Sequence, residues 1–217
     1  MMDFAARRDR MVERDLVARG IADANVIAAM RRVPREEFVD REQRGLAYED
    51  APLPIGRGQT ISQPYIVALM LEALELERDG RAATALDVGT GSGYAAAVLS
   101  LLVGRVYTIE RHDELALAAT ATFERLGYPN IEVRCGDGAH GWPEHAPYPA
   151  ILVSAAAPAI PPRLEEQLAV GGRLVLPIAD PEAGQLLLRV VRTAESRYER
   201  EPLTAVRFVP LVSDERG

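Results

Sequence analysis

The stretch that decides the fold is Thr84 to Glu110, TALDVGTGSGYAAAVLSLLVGRVYTIE. Thr84 to Val88 is an apolar run long enough for one buried strand, and Gly89, Gly91 and Gly93 follow at every second position. Tyr94 to Val103 reads as a largely apolar helix, and Val106 to Ile109 as a second strand that ends on Glu110. Strand, glycine turn, helix, strand and acid together make a nucleotide-binding βαβ unit. Glycine has no Cβ, so the chain can bend sharply and lie against a ligand at a helix N-terminus. The carboxylate of Glu110, about 20 residues after the glycines, is placed to accept hydrogen bonds from two ribose hydroxyls.

The spacing narrows the ligand. A dinucleotide fingerprint is G-x-G-x-x-G, but here the pattern is G-x-G-x-G and Tyr94 follows Gly93. A bulky side chain at the helix opening disfavours a tightly seated pyrophosphate. No G-x-x-x-x-G-K-[ST] loop is present, so a triphosphate lacks its usual cradle. A nucleoside without a phosphate chain, S-adenosylmethionine, fits better. The competing reading is a glycine turn that serves strand–helix packing alone; Asp87 and Glu110 weigh against it.

The rest of the chain follows the same alternation. Asp113 to Leu126 reads as a helix, Ile131 to Cys135 as a strand, and Gly136-Asp137-Gly138 as the turn that ends it. Asp137 sits where an open α/β sheet binds ligands and is placed to accept from an adenine amino group, with Gly138 letting the ring approach. An ordinary Asp-Gly turn is the alternative. Strands are expected at Ala150 to Ser154, Arg173 to Pro177, Gln185 to Arg192 and Leu203 to Val209, with a short helix inside Pro161 to Val170. The expected fold is α/β: a doubly wound sheet of about seven strands, parallel first and antiparallel at its last edge.

Ahead of this core, the first 46 residues form an amphipathic helical layer. Phe4, Met11, Val12 and Leu16 share a face, Gly20 ends that helix, and Asp23 caps a second one that stops before Pro34. Tyr48 to Pro64, YEDAPLPIGRGQTISQP, holds three prolines and two glycines in 17 residues, yet is too apolar for a free linker. It is expected as an ordered loop packed on the fold, the kind of segment that carries function. Pro64 then opens a helix through about Leu76. Ser62 lies near its N-terminus, either facing an anion or serving as a plain helix cap.

Composition excludes several classes. The 217 residues suit one domain with a full core, and a net charge of −7 argues against a general nucleic-acid binder. All 25 basic residues are Arg, which in so Ala-rich a chain reflects coding bias in a GC-rich genome. The single cysteine, Cys135, rules out an internal disulfide and reads as a buried thiol in a strand. No secretory signal or spanning segment is legible, so a cytoplasmic protein with no membrane partner and no metal is expected.

Six segments then carry a resemblance: AYEDAPLPIGRGQTISQPYIVA (47–68), DVGTGSGYAAAVL (87–99), GDGAHGWPEHAPY (136–148), SAAAPAIPPRLEEQL (154–168), GGRLVLPI (171–178) and VRFVPL (206–211). The chain resembles the protein-L-isoaspartate O-methyltransferase family from about Met11 to Leu211, and the string from Gly58 to Pro64 is its most specific part. The resemblance implies a single Rossmann-like methyltransferase domain over 1–217: N-terminal helices over 1–46, a substrate and active-site loop over 47–64, and an α/β core with C-terminal capping strands over 65–217. It implies methyl transfer from S-adenosylmethionine, with S-adenosylhomocysteine as product, to the side carboxylate of L-isoaspartyl residues in damaged proteins and peptides. The ester then passes through a succinimide to L-aspartyl.

Carried over by motif, Ser62 is the active-site serine. Gly89, Thr90, Gly91, Gly93, Glu110, Arg111, Asp137 and Gly138 are the cofactor residues. Gln59, Thr60, Ile61, Val209 and Leu211 lie on the substrate side, and Val209 to Leu211 resembles the segment that closes over both ligands. The enzyme is expected to be monomeric. An ionised carboxylate needs no general base, so His112, His140 and His145, in polar surroundings, are assigned no chemical role. Pro149 stands where the family usually has an acid and removes a ladder donor at a strand mouth. Two alternatives are the same chemistry on Asp of a ribosomal peptide, and a cofactor-binding adaptor without turnover.

Overall fold

A computed structural model describes residues 3–76 and 83–213, so the outer ends of the expected 1–217 domain lie outside the described residues. The N-terminal layer forms as the apolar spacing predicts. Helix α1 (Phe4–Met11) continues through a π-helical turn and a 3₁₀ turn to Gly20, whose φ of 99° ends it in the left-handed region. Helix α2 (Ala24–Arg32) is capped by Asp23, whose carboxylate accepts from the amides of Asn25 and Val26. Within the 48–64 segment lies a small antiparallel hairpin, β1 (Leu53–Gly56) and β2 (Gln59–Ile61). Helix α3 (Pro64–Ala73) follows, ending three residues short of Leu76.

The sheet itself is built from β3 (Thr84–Val88), β4 (Arg105–Glu110), β5 (Ile131–Cys135), β6 (Tyr148–Val153), β7 (Leu168–Asp180), β8 (Gly184–Ala194) and β9 (Arg197–Ala205). Its order is β5-β4-β3-β6-β7-β8-β9, parallel from β5 to β7 and antiparallel beyond. Helices α4 (Tyr94–Leu99), α5 (Asp113–Leu126) and α6 (Pro162–Glu166) connect the parallel strands. Alternation along each strand splits the core. Ala85, Ala150, Leu152 and Val175 join the N-terminal helices on one face. Leu86, Val88, Ile151, Val153 and Leu174 pack with Trp142, Tyr148 and Leu164 on the other.

Several boundaries differ from expectation for identifiable reasons. Helix α4 stops at Leu99, not Val103. The Ser100 hydroxyl donates to the Ala97 carbonyl and the Asn130 amide to the Ser100 carbonyl, so the last turn is satisfied without further helix. The final strand runs Arg197–Ala205, not Leu203 to Val209. Beyond it the Gln185 side chain bonds both the N–H and the C=O of Phe208, replacing a sheet ladder with a side-chain tie. Strand β7 is longer than expected and takes Leu168 to Val170 from the predicted helix. Cys135 is exposed, contrary to its reading as a buried thiol, because β5 is the edge strand. Pro149 also sits in the open, at a point where the β6–β7 register shifts, so its missing donor is absorbed by an irregularity.

Candidate active site

A parallel sheet binds ligands outside the carboxyl ends of its strands, where the strand order reverses. Here chain order runs outward from β3 in both directions, to β4 on one side and β6 on the other. The residues that end these three strands face one cleft: Gly89 after β3, Glu110 on β4 and Ser154 after β6. Short backbone bonds lock them in place, Gly89 N–H to the Ile109 carbonyl and Ser154 N–H to the Val88 carbonyl, both at 2.8 Å.

Glu110 is 5% exposed. One carboxylate oxygen accepts from the Gly91 amide at 2.8 Å and the other from the His112 amide at 2.9 Å. Each oxygen keeps a free lone pair, so the group is held rigidly and can still accept two hydroxyls. The glycines divide into two kinds. Gly89 and Gly91 line the cleft with φ of 91° and 54°, conformations that suit glycine and keep side chains out of the ligand's path. Gly93 does not line it. A Cβ there would lie 2.5 Å from Phe123 Cζ, so its bareness serves helix packing.

Behind the turn runs a buried polar chain. Thr108 donates to Asp87 at 2.6 Å, and Thr90 stands 2.6 Å from Thr108. Thr108 having spent its proton, Thr90 donates inward and turns acceptor lone pairs toward the cleft. The second Asp87 oxygen has no partner among the described residues. Burial pushes the Asp87 carboxyl up to about 7; the Thr108 hydrogen bond opposes this, and the charge on Glu110 adds to it.

Of the cofactor residues expected from sequence, Gly89, Thr90, Gly91, Glu110, Arg111 and Gly138 line the cleft. Gly93 and Asp137 do not. The Asp137 carboxylate is turned onto its own loop, accepting from the Ala139 amide and the Ser213 hydroxyl, the arrangement of an Asp-Gly turn with a tail contact. The residues expected on the substrate side, Gln59, Thr60, Ile61, Val209 and Leu211, border the cleft too, as does Ser62. The C-terminal segment is carried there by Ala156, whose N–H donates to the Val209 carbonyl and whose carbonyl accepts from Leu211 N–H.

Ser62 is not a helix cap. Helix α3 has no side-chain cap from its own N-cap residue, Gln63. Asp50, fifteen residues upstream of Tyr65, takes that part: it accepts from the Tyr65 amide at 3.1 Å and from the Gln63 side chain at 2.5 Å, and pairs with Arg19 at 2.5 Å. The turn bearing Asp50 is itself held by Arg35, fully buried, which donates to the Ala47 carbonyl at 2.8 Å. Burial holds that guanidinium down at about 10. The Ser62 hydroxyl is thereby left without a hydrogen bond to any described residue, at the edge of the cleft.

Sequence reasoning missed Ser154, His112 and Tyr94 as cleft residues. Ser154 was signalled by its place at the end of a buried strand; His112 enters through its position two residues after Glu110. His145 is not in polar surroundings but stacks on Tyr107, ring centres 3.8 Å apart.

The glycine turn, the strand-end acid and the doubly wound order define the Rossmann-like methyltransferase class. The comparisons specify which one. The family described as Protein-L-isoaspartate(D-aspartate) O-methyltransferase matches residues 6–216. A relative from Pelobacter propionicus named Protein-L-isoaspartate O-methyltransferase 2 is 59% identical, over 96% of this chain and 92% of its own length. One from Rhodopseudomonas palustris, Protein-L-isoaspartate O-methyltransferase 1, is 54% identical over 98% and 85%. A solved protein-L-isoaspartate O-methyltransferase superposes with a TM-score of 0.85 at 30% identity, covering 95% of this chain and 66% of that longer one. A putative homologue from Plasmodium falciparum, solved with S-adenosyl-L-homocysteine, gives 0.81 at 26%, covering 94% and 98%. This chain belongs to the protein-L-isoaspartate O-methyltransferase family.

Proposed function

We infer that this chain methylates the free side carboxylate of L-isoaspartyl residues in proteins and peptides, and so starts their return to L-aspartyl. One observation carries the reading. The nucleoside cleft and a second groove, beneath residues 205–209, meet at Thr60, Ser62, Ser154 and Val209. A donor site and an extended-peptide site therefore share one wall of small hydroxyl-bearing residues. The cleft residues suit S-adenosylmethionine: bare glycines at the turn, a buried carboxylate with two free lone pairs for ribose, and no triphosphate cradle.

When bound there, S-adenosylmethionine supplies an electrophilic methyl group. The chain's own residues do the rest by positioning. Glu110 holds the ribose. Thr90, steered by Thr108 and Asp87, offers an acceptor at the cleft wall. Ser62 donates to one oxygen of the acceptor carboxylate and leaves the other aimed at the methyl carbon. With a pKa near 4, that carboxylate is already ionised at neutral pH, and no base is required. Val209 to Leu211, tied to Ala156, covers both sites and limits water. The neighbouring backbone nitrogen then attacks the ester carbonyl, the new C–N bond closes the succinimide ring, and methanol departs with the amide proton.

In this reading the protein works as a cytoplasmic monomer, with neither nucleic acid nor membrane as partner. Its exposed large apolar side chains, Val17, Leu46, Leu117, Val170 and Val212, lie on separate elements, and its net charge is −7. Among the described residues no helix is long and apolar enough to cross a membrane. The cofactor assignment is tested by calorimetric titration with S-adenosylhomocysteine and with NAD. Saturable binding of the first alone is expected; binding of NAD alone overturns it.

A further inference from the structure

The groove beneath residues 205–209 has a volume of about 700 Å³ and a wall of mixed apolar and hydroxyl character. Among the described residues that line it, Arg207 is the one charged residue and none is an acid. That is unusual in a chain with 32 acids against 25 arginines. Arg19, Arg105, Arg125 and Arg200 pair with Asp50, Glu132, Glu37 and Glu165, whereas Arg10, Arg32, Arg41, Arg163 and Arg197 are exposed with no carboxylate partner among the described residues; what sets Arg207 apart is its place on the groove wall. Arg207 is exposed and makes no hydrogen bond or ion pair with any described residue.

Its backbone is nevertheless fixed. The residues on either side are fastened to Gln185, Val206 through a backbone bond and Phe208 through both ends of the Gln185 amide. Arg207 is thus a groove-lining arginine on a firm backbone support, with no counter-charge among the described residues. A guanidinium so placed pairs most favourably with a carboxylate. Val209, two residues on, borders the junction where the acceptor must sit. In extended chain that is about 7 Å, the reach of a side chain one or two residues from the isoaspartyl position.

Building on the function proposed above, we propose that Arg207 is a specificity-determining residue that reads the charge of the peptide beside the damaged site. An acidic neighbour is favoured and a basic one disfavoured. The protein's overall charge of −7 acts the other way, drawing basic peptides at long range. The two influences separate with salt and with mutation, since the long-range field is screened beyond about 8 Å at physiological ionic strength.

The test uses isoaspartyl peptides that carry Glu or Lys at each of the two positions before and after the isoaspartyl residue. kcat/KM is measured for the wild type, Arg207→Gln and Arg207→Glu, at low and high salt, after thermal melts confirm that each protein is folded. At one or more positions the wild type is expected to prefer Glu over Lys by on the order of 10-fold, and the preference to persist at the salt concentration that screens the opposing long-range field. Arg207→Gln abolishes the preference or tips it toward Lys, and Arg207→Glu reverses it. A Glu preference that survives in Arg207→Gln, or none in the wild type, overturns the proposal. So does an equal loss on all peptides in Arg207→Gln, which would place the guanidinium on the acceptor carboxylate itself. If the wild type methylates no isoaspartyl peptide, the underlying function falls, and this inference with it.

Discussion

Replacing Ser62 by Ala separates positioning from capping, because the structure assigns the cap elsewhere. Pro64 has no amide to satisfy, the Tyr65 amide goes to Asp50, and the Val67 amide goes to the Gln63 carbonyl. Ser62 supplies none of these bonds, so Ser62→Ala should change stability by less than about 0.5 kcal/mol. Turnover should fall on the order of 10- to 1,000-fold, since a neutral hydroxyl gives one directional contact and no covalent step. Asp50→Ala should behave in the opposite way. It removes a helix cap, at about 1 kcal/mol, and a partly exposed ion pair with Arg19, at up to about 1 kcal/mol more. For a chain of this size a loss of 1–2 kcal/mol lowers Tm by roughly 2–8 °C. Thermal melts and single-turnover methylation on the same two samples decide the matter. A Ser62→Ala protein that is destabilised yet fully active would refute the assignment and return the hydroxyl to a capping role.

Three further outcomes follow from the geometry. Gly93→Ala puts a Cβ 2.5 Å from buried Phe123 at a φ of 92°, so it should cost roughly 2–4 kcal/mol in a denaturant melt while leaving nucleoside affinity intact in the folded fraction. Weakened affinity with unchanged stability would make Gly93 a ligand contact. Glu110→Ala should weaken S-adenosylhomocysteine binding by roughly 1.5–3 kcal/mol for two charge-assisted bonds, read by calorimetry; unchanged affinity would remove it from the site. Asp87 gives a pH signature: its carboxyl stands at about 7 in the fold against about 4 unfolded, a gap worth on the order of 4 kcal/mol. A raised acid stabilises fully below pH 4 and loses that contribution as pH climbs to 7. Relative to Asp87→Asn the wild type should therefore lose stability over that window; identical profiles would contradict the burial argument.

How much of this was legible in the sequence depends on how local the cause is. β3, α5 and β5 begin and end where the apolar runs do, because burial and turn residues within each segment decide them. The ends of α4 and β9 were not legible, since they are set by Asn130 and Gln185, 30 and 23 residues from the groups they bind. Cys135 was misplaced because an edge strand and a central one look alike until the strand order is known. In the site, Glu110 was read from spacing alone. The three glycines looked equivalent, and only the packing of Phe123 separates Gly93 from the other two. Asp137 was read by motif; in the fold its carboxylate accepts from the Ala139 amide and the Ser213 hydroxyl and does not line the cleft. Asp50 escaped notice because a cap supplied from another segment leaves no pattern beside the helix it serves.

The central claim is that this cleft and groove recognise the abnormal backbone of an isoaspartyl residue, not merely a carboxylate. Its most direct test is methyl incorporation from labelled S-adenosylmethionine into two peptides of identical sequence, one with L-isoaspartyl and one with L-aspartyl at the same position. The account predicts rapid labelling of the isoaspartyl peptide as a base-labile ester and none above background on the aspartyl peptide. Equal labelling of the two would contradict it.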